Sequence, residues 1–327
     1  MNDGSDSLHE MEWQLLSLVP ATPESLYVPI GDVLRAGGKR ARPMLTLLTS
    51  DIASANSKSR EVTNATLNAA CAVELLHTFT LVHDDIMDNA STRRGLPTLH
   101  TTYGVSTAIL AGDGLMALAN QALAMIQSPL LGRIVTEFAL GFRAVCEGQA
   151  LDEEFEGRKT IAISEYIDMI DLKTSKVFEL AAVLGALAGG GQYVEEVRGF
   201  AHHLGLAFQI MDDLLDLTAN ERTFGKTPGG DILEGKRTFL FAAAMEQYSS
   251  LAGEDLALLE KVRDRRATPR DIPLMQGLLE RLGVLERARA AALGETQKAE
   301  ASLNAIPESE ARERLHAFGR SFLGRDH

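Results

Sequence analysis

The segment LVHDDIMDNASTRRG, Leu81–Gly95, closes a long apolar run, CAVELLHTFTLVH (Cys71–His83), with three aspartates and a pair of arginines. Asp84 and Asp88 are four residues apart, so on a helix they lie one turn above each other on one face. The same pattern returns in FQIMDDLLDL, as Asp212, Asp213 and Asp216, again behind a largely apolar stretch. Carboxylates crowded at the end of a buried stripe repel one another unless cations hold them. Oxygen-only donors without cysteine suit a hard ion, and Mg²⁺ characteristically combines one or two carboxylates with substrate phosphates. An iron-carboxylate bundle is the rival, because Glu74-Leu-Leu-His77 and Glu313-Arg-Leu-His316 supply the Glu-x-x-His spacing. The second of these sits in a polar segment, and iron chemistry leaves the basic groups described below without a purpose.

Working outward, helical periodicity dominates and strand signals are scarce, with aromatics at 6%. Prolines punctuate the first half, and none falls between Pro129 and Pro228, which leaves room for several unbroken helices. We read helices near 8–18, 24–36, 42–55, 60–89, 104–128, 130–155, 163–188, 192–218 and 236–248. Two or three shorter amphipathic ones follow over 255–320. No linker rich in Pro, Gly or Ser divides the chain and no fixed repeat emerges. The expectation is one all-α domain over 1–327, a helical bundle.

Of 327 residues, 45% are apolar, ample for a core, and the net charge is −13. An acidic balance argues against a nucleic-acid surface. Cys71 and Cys146 are far apart and form no C-x-x-C, which fits two reduced thiols. The polar, acidic start MNDGSDSLHEMEWQ lacks the features of a signal peptide, and no apolar run reaches the length of a membrane span. A cytoplasmic protein with no membrane span is expected.

The cations come in compact groups: GGKRARP (37–43), Arg93-Arg94-Gly95, Lys173-Thr174, Gly225-Lys226-Thr227 and Gly235-Lys236. Arginine forks grip phosphate bidentately and lysines add point charge. The stretch around Lys226 is not a P-loop, since Asn220 stands where glycine is required and no strand precedes it. A phosphate site without a nucleotide fold points to some other diphosphate.

In order and spacing, GGKRARP, DDIMDNASTRRG, GDGL, KTS, FQIMDDLLDL and GKTPGGDILEGKRT resemble the motifs of the trans-isoprenyl diphosphate synthases, the polyprenyl synthetase family, over roughly residues 30–240. The resemblance implies an all-helical homodimer with a deep central cavity, the isoprenoid synthase fold. It implies two substrates, isopentenyl diphosphate and an allylic diphosphate (dimethylallyl, geranyl or farnesyl). It also implies three Mg²⁺ held by Asp84, Asp88 and Asp212, supported by Asp85 and Asp216 within a wider acidic set that includes Asp213. Arg93, Lys173 and Lys226 would hold the allylic diphosphate, with Lys236 a further substrate-binding lysine. Lys39, Arg42, His77 and Arg94 would hold isopentenyl diphosphate. Thr174 and Gln209 would line the place where the allylic cation forms.

Within the family the product grows along the helix that carries the first acidic motif, and a helical turn of about 5.4 Å is comparable to one isoprene unit. The residues five and four before Asp84 are Phe79 and Thr80. One aromatic at the fifth place, with no insertion in the motif, resembles the geranylgeranyl (C20) type. Farnesyl (C15) is the alternative product, and Leu76 the alternative floor. A non-catalytic partner subunit is disfavoured because both acidic motifs are intact.

Overall fold

The computed structural model describes residues 3–54, 59–218 and 229–323. Its architecture is all-α, as expected. The helices are α1 Asp3–Ser17, α2 Glu24–Arg35, α3 Ala41–Ala53, α4 Arg60–Met87, α5 Leu99–Tyr103, α6 Val105–Ala124, α7 Leu131–Glu156, α8 Ile163–Ile170, α9 Lys176–Ala188 and α10 Val194–Thr218. They continue with α11 Gly230–Glu234, α12 Phe239–Met245, α13 Gly253–Arg263, α14 Asp271–Arg281, α15 Val284–Ser302 and α16 Glu310–Leu323. The C-terminal part thus holds four α-helices where two or three were expected. Left-handed Arg265 and Gly283 break its periodicity. Two other departures from the sequence reading bear on function. A two-stranded hairpin, β1 Thr92–Arg93 and β2 Leu96–Pro97, follows the first acidic motif. A π-turn, Asp171–Ser175, interrupts the helix expected over 163–188.

The chain divides into two compact units. One comprises the described parts of Met1–Phe142, Val177–Gly199 and Ser302–Phe318. Its central helix is α4, which packs most extensively against α6, then against α3 and α1. Ser59 caps α4 by accepting a hydrogen bond from the Val62 amide, and Glu61 adds negative charge to its first turn. Every residue from Ala65 to Leu76 is buried, so α4 is enclosed on all sides rather than amphipathic. Correspondingly, α4 is by length and mean composition apolar enough to cross a membrane, yet 78% of its most apolar window is buried inside the fold.

The other unit comprises Arg143–Lys176, Phe200–Ala301 and Gly319–His327, again as far as described. Its core gathers Tyr166, Ile210, Leu214, Phe239, Leu259 and Met275. Two glycines let neighbouring helices approach the π-turn closely. A Cβ on Gly148 of α7 would lie 2.7 Å from Lys173 Cα, and one on Gly205 of α10 would lie 2.6 Å from Ser175 Cα. The backbone of 171–175 is therefore gripped between two helices at points where a side chain cannot fit. Gly148→Ala is expected to cost about 1–3 kcal/mol by forced backbone displacement, read as a lower urea midpoint. Unchanged stability would mean that the turn yields freely.

Candidate active site

In the first unit, α4 ends at the acidic motif. Asp88 caps the helix, its amide donating to the Asp84 carbonyl at 2.8 Å, which holds the two residues one turn apart. Asp84 is half-buried and Asp88 exposed, whereas Asp85 turns inward and is 6% exposed. Arg93 Nε donates to Asp85 Oδ1 at 2.7 Å. Burial pushes the Asp85 carboxyl above its ordinary range, and Arg93 opposes that shift.

The hairpin explains how two adjacent arginines serve different places. Arg94 and Gly95 both have positive φ (54° and 76°), the geometry of a type I′ turn, which glycine at the second place favours. Arg93 lies on the strand and reaches Asp85, while Arg94, in the turn, donates to the Gly37 carbonyl. Arg94 is thereby joined to the GGKRARP loop, as the sequence reading groups it with Lys39 and Arg42.

Arg40 fixes that loop. It is 9% exposed, and its guanidinium donates to Glu74, to Glu12 Oε1 at 3.1 Å and to the Leu34 carbonyl at 2.7 Å. One side chain thus ties α1, α2 and α4 to the start of α3. Its neighbours Lys39 and Arg42 are exposed and half-buried. Arg42 Nη1 lies 3.0 Å from His77 Nε2, and its guanidinium sits 4.8 Å from the centre of the Phe178 ring. A guanidinium has no acceptor, so His77 Nε2 must be the bare nitrogen and Nδ1 must carry the proton. Burial, followed by the charges of Arg42, Arg94, Arg93 and Arg40, holds the His77 pKa well below its usual value and keeps the ring neutral. A cavity of about 170 Å³ is lined by Gly37, Arg40, Glu74, Asp85, Arg93 and Arg94, among others. Glu74, an iron-ligand candidate in sequence, is committed to Arg40, and Glu313 lies exposed on α16.

Back along α4, Phe79 is half-buried, its ring centred 4.4 Å from that of His83 and 5.5 Å, edge-on, from Phe142 of α7. Thr80 donates to the His77 carbonyl at 2.8 Å, and Leu76 is fully buried.

In the second unit, Asp212 and Asp216 are half-buried on the last turns of α10. Asp216 Oδ2 accepts the Asp231 amide at 3.0 Å, and the Asp216 carbonyl accepts the Gly229 amide at 2.6 Å. Asp231 adds a further carboxylate that the sequence reading did not single out. Burial and then repulsion from Asp216 and Asp213 push its pKa well above normal. Asp213, grouped in sequence with the metal-binding acids, is 5% exposed, and both its oxygens accept from protein donors. Tyr166 Oη donates to Oδ2 at 2.6 Å, the Phe239 amide to Oδ2 at 3.1 Å, and Gln209 Nε2 to Oδ1 at 3.0 Å. On a helix, positions 212 and 213 are rotated by about 100°, so adjacent acids cannot face the same way.

Lys173 and Thr174 sit in the π-turn, a backbone irregularity frequent at functional sites. Lys173 Nζ donates to Asp152 Oδ2 at 2.6 Å, and Thr174 Oγ1 donates to Gln209 Oε1 at 2.9 Å. Lys236 Nζ lies 3.3 Å from Glu234 Oε2. Its neighbour Arg237 is 5% exposed and donates to the carbonyls of Arg158, Gly235 and Arg263, a structural tie. Lys226 lies outside the described residues.

The donors suit Mg²⁺. Asp84, Asp88, Asp212 and Asp216 offer carboxylate oxygen in pairs one turn apart, and none of the four is fully buried. Asp231, whose amide is held by Asp216 Oδ2, brings a further carboxylate beside that pair, and a divalent ion would relieve the repulsion among acids so placed.

The polyprenyl synthetase family model matches residues 23–272. The short chain isoprenyl diphosphate synthase of Methanothermobacter thermautotrophicus is 36% identical over 314 residues, covering 95% of this chain and 94% of that one. The geranylgeranyl diphosphate synthase of Methanosarcina mazei is 40% identical over 258 residues, covering 75% of this chain and 76% of its own. Among solved structures, geranylgeranyl pyrophosphate synthetase from Pyrococcus horikoshii superposes with a TM-score of 0.88 at 34% identity, covering 99% of this chain and 98% of that one. That structural match accounts for the helical architecture, and the family match for the order of the motifs. The chain belongs to the polyprenyl synthetase family, whose members couple isopentenyl and allylic diphosphates in a Mg²⁺-dependent reaction, and it is a prenyltransferase, a trans-prenyl diphosphate synthase.

Proposed function

We propose that this chain makes geranylgeranyl diphosphate by adding isopentenyl diphosphate head-to-tail to allylic diphosphates. The observation that carries the reading is the arrangement along α4: a metal-suited acid pair at its end, and Phe79, braced by Phe142, five residues back. Asp84, Asp88 and Asp212 would hold Mg²⁺, three ions by family resemblance, with Asp85 and Asp216 in support. Bound Mg²⁺ supplies positive charge that stabilises diphosphate as a leaving group. Arg93, Lys173, Lys226 and Lys236 add cationic donors for that same diphosphate. Lys39, Arg42 and Arg94 grip isopentenyl diphosphate, and neutral His77 offers a ring whose Nε2 already accepts from Arg42.

In the reaction the allylic C1–O bond breaks and its electron pair leaves with diphosphate. The double bond of isopentenyl diphosphate then attacks C1, and the resulting tertiary cation loses a proton to the departed diphosphate. Thr174 and Gln209 stand beside the forming allylic cation, and water is held away from it. No side chain acts as nucleophile. We further read residues 1–327 as one synthase domain working as a cytoplasmic homodimer. The near-complete mutual coverage with the Pyrococcus horikoshii structure supports the single domain.

Incubation with isopentenyl diphosphate, Mg²⁺ and C5, C10 or C15 allylic diphosphates tests the reading through chromatography of the dephosphorylated products. C20 alcohol should dominate; a C15 product would reassign the chain to farnesyl synthesis, and absence of turnover would overturn the reading altogether. Phe79→Ala should shift the product to C25 and longer, because it removes a ring from the end of the growing-chain wall. An unchanged product distribution would place the floor elsewhere, at Leu76 or Phe142.

A further inference from the structure

We infer that Tyr166 and Asp213 are positioning residues that set the direction of the Thr174 hydroxyl, so that it offers lone pairs to the allylic cation. The inference rests on the synthase reading above for what sits beside Thr174, and on hydrogen-bond geometry for the rest. Four side chains form one unbroken series: Tyr166 Oη to Asp213 Oδ2 at 2.6 Å, Gln209 Nε2 to Asp213 Oδ1 at 3.0 Å, and Thr174 Oγ1 to Gln209 Oε1 at 2.9 Å.

Each link has its direction dictated by the one before. The Phe239 amide can only donate, and it shares Asp213 Oδ2 with the Tyr166 phenol. With Asp213 ionised, its other oxygen takes the Gln209 NH₂ group, which turns Gln209 Oε1 toward Thr174. An amide oxygen can only accept, so the Thr174 hydroxyl spends its proton on Gln209. Toward anything else in the site that hydroxyl presents its oxygen lone pairs, the negative end of its dipole, which is the polarity a cation requires. The assembly is also rigid. Tyr166 is 1% exposed, with its ring edge-on to Phe239 at 6.0 Å, and Gln209 and Asp213 are four apart on α10. Thr174 sits in the π-turn gripped by Gly148 and Gly205. Such preorganisation costs nothing at the moment of reaction.

Asp213→Asn tests the inference because it keeps the shape and reverses the polarity. Two donors still converge on the Oδ2 position, so the new amide must place its oxygen there and its NH₂ toward Gln209. Gln209 must then flip, offering NH₂ to Thr174, whose oxygen has to accept. We expect kcat to fall about 100-fold, with the KM of both substrates and the Mg²⁺ concentration for half-activation within about twofold of wild type. Adding Gln209→Glu should recover at least about tenfold of the loss, since a carboxylate at 209 again accepts from Thr174. Tyr166→Phe, which removes one donor without reversing anything, should lower kcat only about tenfold, with KM unchanged. It also gives a second reading if Asp213→Asn folds poorly by circular dichroism.

An Asp213→Asn enzyme with wild-type kcat would overturn the inference. So would a Mg²⁺ requirement raised tenfold, the mark of a direct ligand, or a double variant no faster than the single one. A wild-type protein without turnover would instead defeat the synthase reading, so the two failures are distinct.

Discussion

Asp84→Ala should lower kcat/KM by about 10³-fold or more while leaving the fold intact. Loss of one group aimed at developing transition-state charge costs about 10²–10³-fold, and a carboxylate that holds a cation against the leaving group contributes through every bond that cation makes. The structural cost is small. The residue is half-buried on the last turn of α4, and the helix-closing bond from the Asp88 amide uses its backbone carbonyl, which alanine retains. Alanine is also the better helix former. A Mg²⁺ titration of steady-state rates, beside a thermal melt, separates the two effects: an unchanged melt with turnover lost at all metal concentrations is expected. If Asp84→Ala retains activity within tenfold of wild type at saturating Mg²⁺, the metal assignment is wrong.

Arg40→Met should destabilise the protein by about 3–5 kcal/mol, the range for breaking a buried ion pair from one side. Burial raises the Glu74 pKa, and Arg40 is the chief influence lowering it again. The guanidinium in turn is kept charged against burial by Glu74. Removing Arg40 leaves that carboxylate enclosed without its partner and deprives Glu12 and the Leu34 carbonyl of donors. Urea unfolding measures the loss. Arg40→Met with Glu74→Leu should recover much of it, because an apolar pair of similar volume avoids the desolvation cost. A single variant as stable as wild type would show that the pair carries no net stability. If the double variant regains stability yet binds isopentenyl diphosphate weakly, the role of Arg40 in placing Lys39 and Arg42 stands apart from its role in folding.

Asp84 and Arg40 also mark the two sides of what the sequence disclosed. Asp84 and Asp88 share a helix face because four residues make about one turn, and local geometry alone places them. By the same arithmetic Gln209 and Asp213, also four apart, are within hydrogen-bonding reach of each other, whereas the inward direction of Asp213 is set by packing. Glu74 is a charge inside a run of otherwise buried, mostly apolar residues, a position that calls for a partner. Its partner is 34 residues away, beyond any local rule. The π-turn leaves no compositional mark within 171–175, and the close approach of Gly148 and Gly205 to that segment is visible only in the folded chain.

By itself the sequence determined the all-α class, the two acidic motifs with their one-turn pairs, and the basic groups that accompany them. Periodicity and i,i+4 spacing are properties of neighbouring residues and survive without any knowledge of packing. Only the tertiary structure decided which way each of these groups faces. It turned Asp85 and Asp213 inward, sent Arg93 and Arg94 to different partners through a type I′ turn, and seated Thr174 against Gln209. The physical reason is that a side chain's direction and ionisation depend on donors, acceptors and burial contributed by distant segments, which meet only when the chain is folded.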